Sequence, residues 1–177
     1  MKQIVIRRAG GPEVLELHEA PDPVAGPGEV AITVRASGIN FADLMARMGM
    51  YPDAPPFPCV VGYEVAGNVT ACGDGGTEFH PGDRVMALTR FGGYQDTVTV
   101  PVTRVFPIPD ELSFSAAAAI PVNYFTAWLA LFVLGNGRAD DTVLIHNGGG
   151  GVGIAAIQLA RARGLTVITT ASSWKHN

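Results

Sequence analysis

The sequence predicts a chain in two parts, an α+β part followed by an α/β part. Short alternating runs broken by many of the 22 glycines and 13 prolines extend from residue 1 to about 110. An alanine-rich stretch without charges follows at residues 114–137. Near the end, an apolar strand pattern runs through a glycine-rich loop into a helix pattern. These observations predict an antiparallel barrel or sandwich followed by a parallel βαβ unit.

The first part carries the signals of β-structure with one short helix. The strands are predicted at residues 3–8, 14–19, 30–36, 60–70, 84–88 and 94–100. Turns are predicted where Gly and Pro cluster, as in Pro81-Gly82-Asp83. A helix over residues 40–47 interrupts the strands, and Asn40 is suited to its N-cap.

The charge-free stretch at residues 114–137 is long enough to cross a bilayer. Pro121 and Asn123 lie near its middle, which favours two helices over one continuous span. Ser113 or Ser115 is expected to cap the first helix, and Asn123 the second. We therefore expect two buried helices and no membrane span.

Charge and cysteine content exclude several partners and compartments. Twelve basic and 16 acidic residues give a net charge of −4, and no basic run is present, so nucleic acid is not an expected partner. Cys59 and Cys72 do not form a CxxC pair. They are expected to be small buried hydrophobes in a reducing, cytoplasmic setting.

The glycine-rich loop matches a dinucleotide-binding fingerprint in its structural context. The strand at residues 142–146 precedes Gly148-x-Gly150-x-x-Gly153, and a helix over residues 154–161 follows. Gly164 then ends the helix, and a second strand is predicted at residues 165–170. In this fingerprint, the glycines allow a tight turn, close approach of the pyrophosphate and close helix packing. The pyrophosphate is expected at the helix N-terminus.

The end of the second strand indicates which nucleotide binds. NAD-specific sites carry an Asp or Glu about twenty residues after the first glycine, where it holds the ribose 2′-OH. Here the segment TASSWK occupies residues 170–175. Hydroxyl groups and a cation suit a 2′-phosphate, so NADPH is favoured, with Ser172 and Lys175 as contacts. The alternative is that they are polar residues at an exposed strand end.

Four phrases together resemble the medium-chain dehydrogenase/reductase superfamily: GINFAD at 38–43, VGYEVAG at 61–67, PGDRV at 81–85 and GGGGVG at 148–153. The form of the first phrase is similar to the zinc-free quinone oxidoreductase (zeta-crystallin-like) branch. The resemblance covers essentially the whole chain. It implies a GroES-like catalytic domain at residues 1–125 and a partial Rossmann domain that binds NADP(H) at residues 126–177.

The resemblance also argues against a catalytic metal. Zinc enzymes of the superfamily place a Cys where this chain has Asn40 and a His where it has Tyr63. An amide and a phenol are poor zinc ligands. The cysteine-rich lobe of the zinc enzymes is also missing after Gly93. No metal site is expected.

Without zinc, the resemblance implies hydride transfer from NADPH to a quinone or an α,β-unsaturated carbonyl. Asn40, Asp43 and Tyr51 are expected to line the catalytic pocket, with water as the proton source. Alternatively, Asn40 only caps a helix, Asp43 faces solvent, and Tyr51 is a loop aromatic. The expected cofactor-binding residues are Thr126, beside the nicotinamide, and Asn147, Gly148, Gly150, Gly151, Val152, Gly153, Ser172 and Lys175.

Members of the family run to about twice this length, so the second half of the dinucleotide fold is expected to be missing. A two-stranded parallel sheet would then be exposed, and a homo-oligomer through that surface is an expected consequence. We expect little or no activity from the chain alone. The alternative function is a non-catalytic fragment or an assembly module that needs a partner chain.

Overall fold

The computed structural model describes residues 1–75 and 78–175. The chain divides into two compact units, Met1–Pro121 and a second that begins at Val122. The boundary expected from the sequence, after residue 125, lies a few residues beyond this division, inside a helix.

The first unit contains a hairpin and a five-stranded antiparallel sheet. The hairpin pairs β1 with β2, and the sheet has the order β6-β3-β4-β5-β7. The strands are β1 (Lys2–Ile6), β2 (Leu15–Glu19), β3 (Glu29–Ser37), β4 (Glu64–Cys72), β5 (Arg84–Leu88), β6 (Thr97–Pro101) and β7 (Val105–Pro107). The predicted antiparallel β architecture of this part is confirmed.

Alternating apolar residues explain how the sheet builds its core. Val30 and Ile32 on β3, Val65 and Val69 on β4, and Val85 on β5 are fully or almost fully buried. Side chains two residues apart share one face of a strand, so each of these strands presents a β-branched surface to the core. Packing of these surfaces forms the main hydrophobic cluster of the sheet, and two smaller clusters lie elsewhere in the first unit.

Two details of the first unit differ from the sequence expectation. The strand predicted at residues 60–70 begins only at Glu64, because Gly62 has a φ of +103° and cannot continue an extended strand. Strand β7 was not predicted, since a three-residue strand that follows a 3₁₀ turn and ends at Pro107 is too short for a periodicity signal.

One helix lies between β3 and β4, and two more follow β7. They are α1 (Phe41–Arg47), α2 (Phe114–Ala117) and α3 (Pro121–Trp128), the last continuing as a π-helical segment at Leu129–Leu134. The N-caps expected at Asn40 and Ser113 are confirmed, and the Ser113 hydroxyl accepts from the Ala116 N–H at 3.2 Å. The N-cap expected at Asn123 is wrong, because α3 already begins at Pro121, a residue whose fixed φ suits a first turn.

The apolar stretch breaks between α2 and α3, as expected. The segment Phe114–Leu134 is nevertheless long and apolar enough to cross a membrane, and only 22% of its most apolar window is buried. The expectation that these helices are largely buried is therefore wrong for this chain. Val133 and Leu134 are exposed because no described element of the chain covers them.

After α3 and the π-helical segment, the second unit contains a βαβ arrangement. Strands β8 (Thr142–Ile145) and β9 (Thr166–Thr169) pair in parallel, and α4 (Gly151–Ala162) connects them. Ala155, Ala156 and Ala160 form the buried side of α4. The helix begins at Gly151 rather than at residue 154, so the last glycine of the fingerprint lies in the first helical turn.

Candidate functional site

Asp43 organises the polar group at the start of α1. Its side chain is 3% exposed, which rules out the alternative that it faces solvent. Oδ2 accepts the Asn40 N–H at 2.8 Å, and Oδ1 accepts the Gly62 N–H at 2.9 Å. The carboxylate therefore joins the N-terminus of α1 to the loop that precedes β4.

Burial also changes the acidity of Asp43. Loss of solvent raises the pKa of its carboxyl above the usual range, while the Asn40 and Gly62 amides and the Tyr94 hydroxyl oppose this rise. A cavity of about 170 Å³ adjoins Asp43, with Tyr94 and Val61 among its walls. Ligand pockets usually measure about 300–1,000 Å³. This geometry suits a carboxylate that positions the backbone better than one that contacts a large ligand.

Asn40 uses its side chain for a second purpose besides its place at the N-cap. The amide Nδ2 donates to Glu64 Oε1 at 2.9 Å, and Glu64 is 1% exposed at the start of β4. A Cβ built on Gly38 would lie 2.3 Å from the same Glu64 oxygen. Only glycine fits beside this pair, and the Asn40–Glu64 hydrogen bond joins the GINFAD phrase to the VGYEVAG phrase, as the Gly62–Asp43 hydrogen bond also does.

Tyr51 belongs to an aromatic group in the first unit. Its ring meets the Tyr63 ring edge-on, with centroids 6.1 Å apart, and Tyr63 lies tilted against Phe91 at 4.9 Å. Edge-to-face and offset arrangements at these distances are favourable for aromatic rings. Tyr51 is therefore one wall of an aromatic cluster rather than an isolated loop aromatic. We refer to Tyr51, Tyr63 and Phe91 as the aromatic cluster.

The hydroxyl of Tyr63 is the unusual polar atom of that cluster. Among the residues that the structure describes, it is the only buried side-chain nitrogen or oxygen without a hydrogen-bond partner. Burial raises the pKa of Tyr63, and the nearby Tyr51 hydroxyl raises it further although the two oxygens do not meet hydrogen-bond geometry. The group therefore stays protonated and able to donate.

The glycine-rich loop requires glycine at two positions for steric reasons. A Cβ on Gly153 would lie 2.3 Å from the Asn147 carbonyl oxygen and 2.8 Å from Gly148 Cα. A Cβ on Gly148 would lie 2.0 Å from Thr169 Oγ1. The loop thus lies close to β9 on one side and to the first turn of α4 on the other, as the fingerprint demands.

The loop ends at a helix N-terminus suited to an anion. The N–H groups of Gly151, Val152 and Gly153 lie in the first turn of α4, where they have no intrahelical acceptor, and that turn carries no acidic residue. Lys175 Nζ donates to the Gly149 carbonyl oxygen at 3.3 Å. Ser172, three residues before Lys175, is exposed, and its carbonyl oxygen accepts the Lys175 N–H at 2.8 Å.

The remaining candidates also lie in the second unit. Thr126 is exposed on α3, and Asn147 is an exposed loop residue with a φ of +57°. The structure brings Asn147, Gly148, Gly150, Gly151, Val152, Gly153 and Lys175 together around the loop. It adds Asn123, whose Oδ1 would lie 2.6 Å from a Cβ on Gly151.

Several contributors received no functional role from the sequence, among them Glu64, Tyr63 and Tyr94. Glu64 and Tyr63 stand inside the quoted phrase VGYEVAG, and Tyr94 was assigned only to a predicted strand. A glutamate between two apolar residues of a strand is a signal of burial, because such a charge needs a partner. No sequence signal distinguishes the Tyr63 hydroxyl from an ordinary one.

No metal-binding group is found within residues 1–75 and 78–175, where no three His, Cys, Asp or Glu side chains are clustered as ligands. Cys59 is buried, Cys72 is half-buried, and neither forms a disulfide. Burial raises the pKa of the Cys59 thiol, which disfavours the reactive thiolate.

Comparisons with known proteins agree with this geometry. Residues 26–110 match the alcohol dehydrogenase GroES-like domain. The chain is 46% identical to the rat synaptic vesicle membrane protein VAT-1 homolog, over 99% of this chain and 44% of that protein.

Two solved structures are similar in fold as well as in sequence. The human VAT-1 homolog-like protein superposes with a TM-score of 0.93 at 42% identity, over 99% of this chain and 57% of that one. The quinone oxidoreductase of Thermus thermophilus, solved also with NADPH, superposes with a TM-score of 0.84 at 41% identity. The match covers 97% of this chain and 54% of that one. This chain thus spans about half the length of these relatives. The predicted fold class is confirmed, and the chain belongs to the medium-chain dehydrogenase/reductase superfamily, with a GroES-like domain in its first unit.

Proposed function

We propose that this chain supplies the catalytic domain and the nucleotide loop of a zinc-independent, NADPH-dependent reductase of quinones or enones. The observation that carries the proposal is the loop at residues 148–153, which ends at a helix N-terminus without acidic residues and has Lys175 against it. The relatives support an oxidoreductase, and one of them is a quinone oxidoreductase solved with NADPH.

NADPH, when bound, supplies a hydride and becomes NADP⁺, while a quinone gains that hydride and one proton from water to become a hydroquinone. The chain's own residues bind and orient. The first-turn N–H groups of α4 receive the pyrophosphate, and Lys175 and Ser172 receive the 2′-phosphate. Thr126 is proposed to lie beside the nicotinamide, as the family resemblance implies.

In the first unit, Asn40, Asp43 and Tyr51 take different roles in the proposal. Asp43 and Asn40 are already engaged with Gly62 and Glu64, so they fix the loop and helix that shape the electrophile site. Tyr51 supplies an aromatic wall. Catalysis then depends on positioning and on hydrogen bonds to an oxygen that gains charge.

A second function, an assembly module that needs a partner chain, is favoured by one specific observation. Leu144 and Ile168 lie on the two-stranded sheet, and each is 55% exposed. Parallel sheets are normally covered on both faces, so a homo-oligomer or another chain would stabilise this surface.

The proposed location of the protein is the cytoplasm.

The test is a calorimetric titration of the purified chain with NADPH and with NADH, followed by an assay of quinone-dependent NADPH oxidation on the same sample. Saturable binding that prefers NADPH supports the nucleotide site. Binding without turnover favours the assembly module. A rate of turnover per chain that rises with protein concentration favours an oligomeric enzyme. Absence of binding by either nucleotide contradicts the proposed function.

A further inference from the structure

The unpartnered hydroxyl of Tyr63 is not explained by the packing of the first unit. A buried polar group without a hydrogen bond destabilises a fold, so native structures rarely retain one without a ligand, a water or a functional reason. A phenylalanine would keep the ring contacts of Tyr63 with Tyr51 and Phe91 without this cost. The hydroxyl is therefore a candidate for a partner that is not part of the chain.

The backbone holds Tyr63 in a fixed place beside the polar group of α1. Its carbonyl accepts the Thr89 N–H at 2.8 Å, and the next residue, Glu64, holds the Asn40 amide. The preceding residue, Gly62, donates to Asp43. Hydrogen bonds on both sides of Tyr63 therefore fix its backbone, and its ring contacts with Tyr51 and Phe91 place the side chain.

The Tyr63 ring lies against two other aromatic rings. The rings of Tyr51 and Phe91 lie at 6.1 Å and 4.9 Å from the Tyr63 ring. Aromatic faces favour a flat conjugated ligand, and a protonated phenol is a donor for a carbonyl oxygen. Because the hydroxyl is shielded from solvent, a carbonyl oxygen reaches it only when the neighbouring side chains move apart.

We propose that Tyr63 is a catalytic residue that donates a hydrogen bond to one carbonyl oxygen of a quinone seated in the aromatic cluster. This inference rests on the proposed function and names the electrophile class and its donor. The donor strengthens its hydrogen bond as the oxygen gains charge, while the proton that completes the hydroquinone comes from water. Tyr63 remains protonated throughout the reaction.

The experiment compares the wild-type chain with Tyr63→Phe, using duroquinone as the probe because its fully substituted ring does not add thiols. Affinity is measured by calorimetry without nucleotide, and the carbonyl stretch of bound duroquinone by difference infrared spectroscopy. Loss of one neutral hydrogen bond predicts about three- to tenfold weaker binding. The carbonyl stretch moves to higher frequency in the variant. Tyr124→Phe, in the second unit, is the control and leaves both values unchanged.

Stability and nucleotide binding separate the possible failures. Because the Tyr63 hydroxyl has no partner in the fold, the Phe variant unfolds at the same or a higher urea concentration than the wild type, and NADPH binds both equally. Unchanged duroquinone affinity in the variant overturns the proposal, as does a large loss of stability. Wild type that binds NADPH but not duroquinone overturns this inference alone, whereas failure of both ligands overturns the proposed function as well.

Discussion

The two units of the chain differ in how they treat side chains that cannot face water. In the first unit, the buried side chains of Asp43 and Glu64 each accept a hydrogen bond, from Gly62 and Asn40 respectively. A hydrophobic cluster packs against β3, β4 and β5. In the second unit, Leu144 and Ile168 are each 55% exposed, so none of the elements described in that unit covers them. An antiparallel sheet with one buried face can build its own core, whereas a parallel sheet needs layers on both faces. The first unit is therefore expected to be stable through its own contacts, and the second through whatever covers it.

The largest expected effect comes from removing the buried carboxylate of the first unit. Asp43→Ala leaves the Asn40 and Gly62 N–H groups without an acceptor. Each unsatisfied buried donor costs about 1–3 kcal/mol, so we expect a loss of about 3 kcal/mol in the free energy of unfolding measured with urea. The exposed Asp53→Ala is the control. A loss below about 1 kcal/mol for Asp43→Ala contradicts the assigned role.

The next effect tests close packing in the second unit. Gly153→Ala forces a methyl group against the backbone of Asn147 and Gly148. Overpacking of this kind costs about 1–3 kcal/mol and should abolish nucleotide binding by opening the turn. Gly149→Ala is a matched control in the same loop, since its methyl group meets only the flexible end of Lys175. Equal losses of thermal stability in the two variants would argue against the steric explanation.

A smaller effect is the pH dependence that Asp43 adds to the first unit. Its folded pKa is raised by burial above the usual value of 3.8, so the fold binds this proton more tightly than the unfolded chain does. Its stabilising contribution is complete below that unfolded value and is lost as the pH rises through the folded pKa. The unfolding free energy of wild type, minus that of Asp43→Asn, should therefore decrease with rising pH above 3.8. A difference that increases would mean that the pKa is lowered.

The smallest effect on stability is expected at the exposed sheet of the second unit. Ile168→Lys should change the free energy of unfolding by no more than about 0.5 kcal/mol, because its side chain is already largely in solvent. The same substitution should reduce concentration-dependent association, measured by analytical ultracentrifugation, if the sheet is the contact surface. Thr103→Lys, at an exposed position of the first unit, introduces the same charge away from the sheet and is the control. Association that is unaffected by Ile168→Lys would place the contact elsewhere.

The sequence predicted much of the fold because its signals are local. Alternation in residues 30–36 and the strand-loop-helix order around residues 148–153 depend only on neighbours in the chain, and both are present in the structure. The N-cap role of Asn123 was predicted wrongly because Pro121 was interpreted only as a break between two helices, whereas it is the first residue of the second. Local patterns compete with one another, and the chain's covalent geometry decided this case.

The candidate site was less accessible from the sequence because it depends on distant pairs. The Asn40–Glu64 hydrogen bond joins residues 24 positions apart, and the aromatic cluster brings together Tyr51, Tyr63 and Phe91. Neither arrangement leaves a periodic trace in the sequence. Lys175 was predicted for its charge alone, and its position against the Gly149 carbonyl was not.

The most direct test of NADPH recognition by this chain is the ratio of NADPH to NADH affinity in the wild type and in Lys175→Ala. Since a hydrogen bond to a charged group contributes about 1.5–3 kcal/mol, we expect at least about tenfold tighter binding of NADPH by wild type. Lys175→Ala should lower the affinity for NADPH by a similar factor and leave that for NADH unchanged. Equal binding of both nucleotides by wild type, or an equal loss of both in the variant, would contradict the claim that this loop and strand end form an NADPH site.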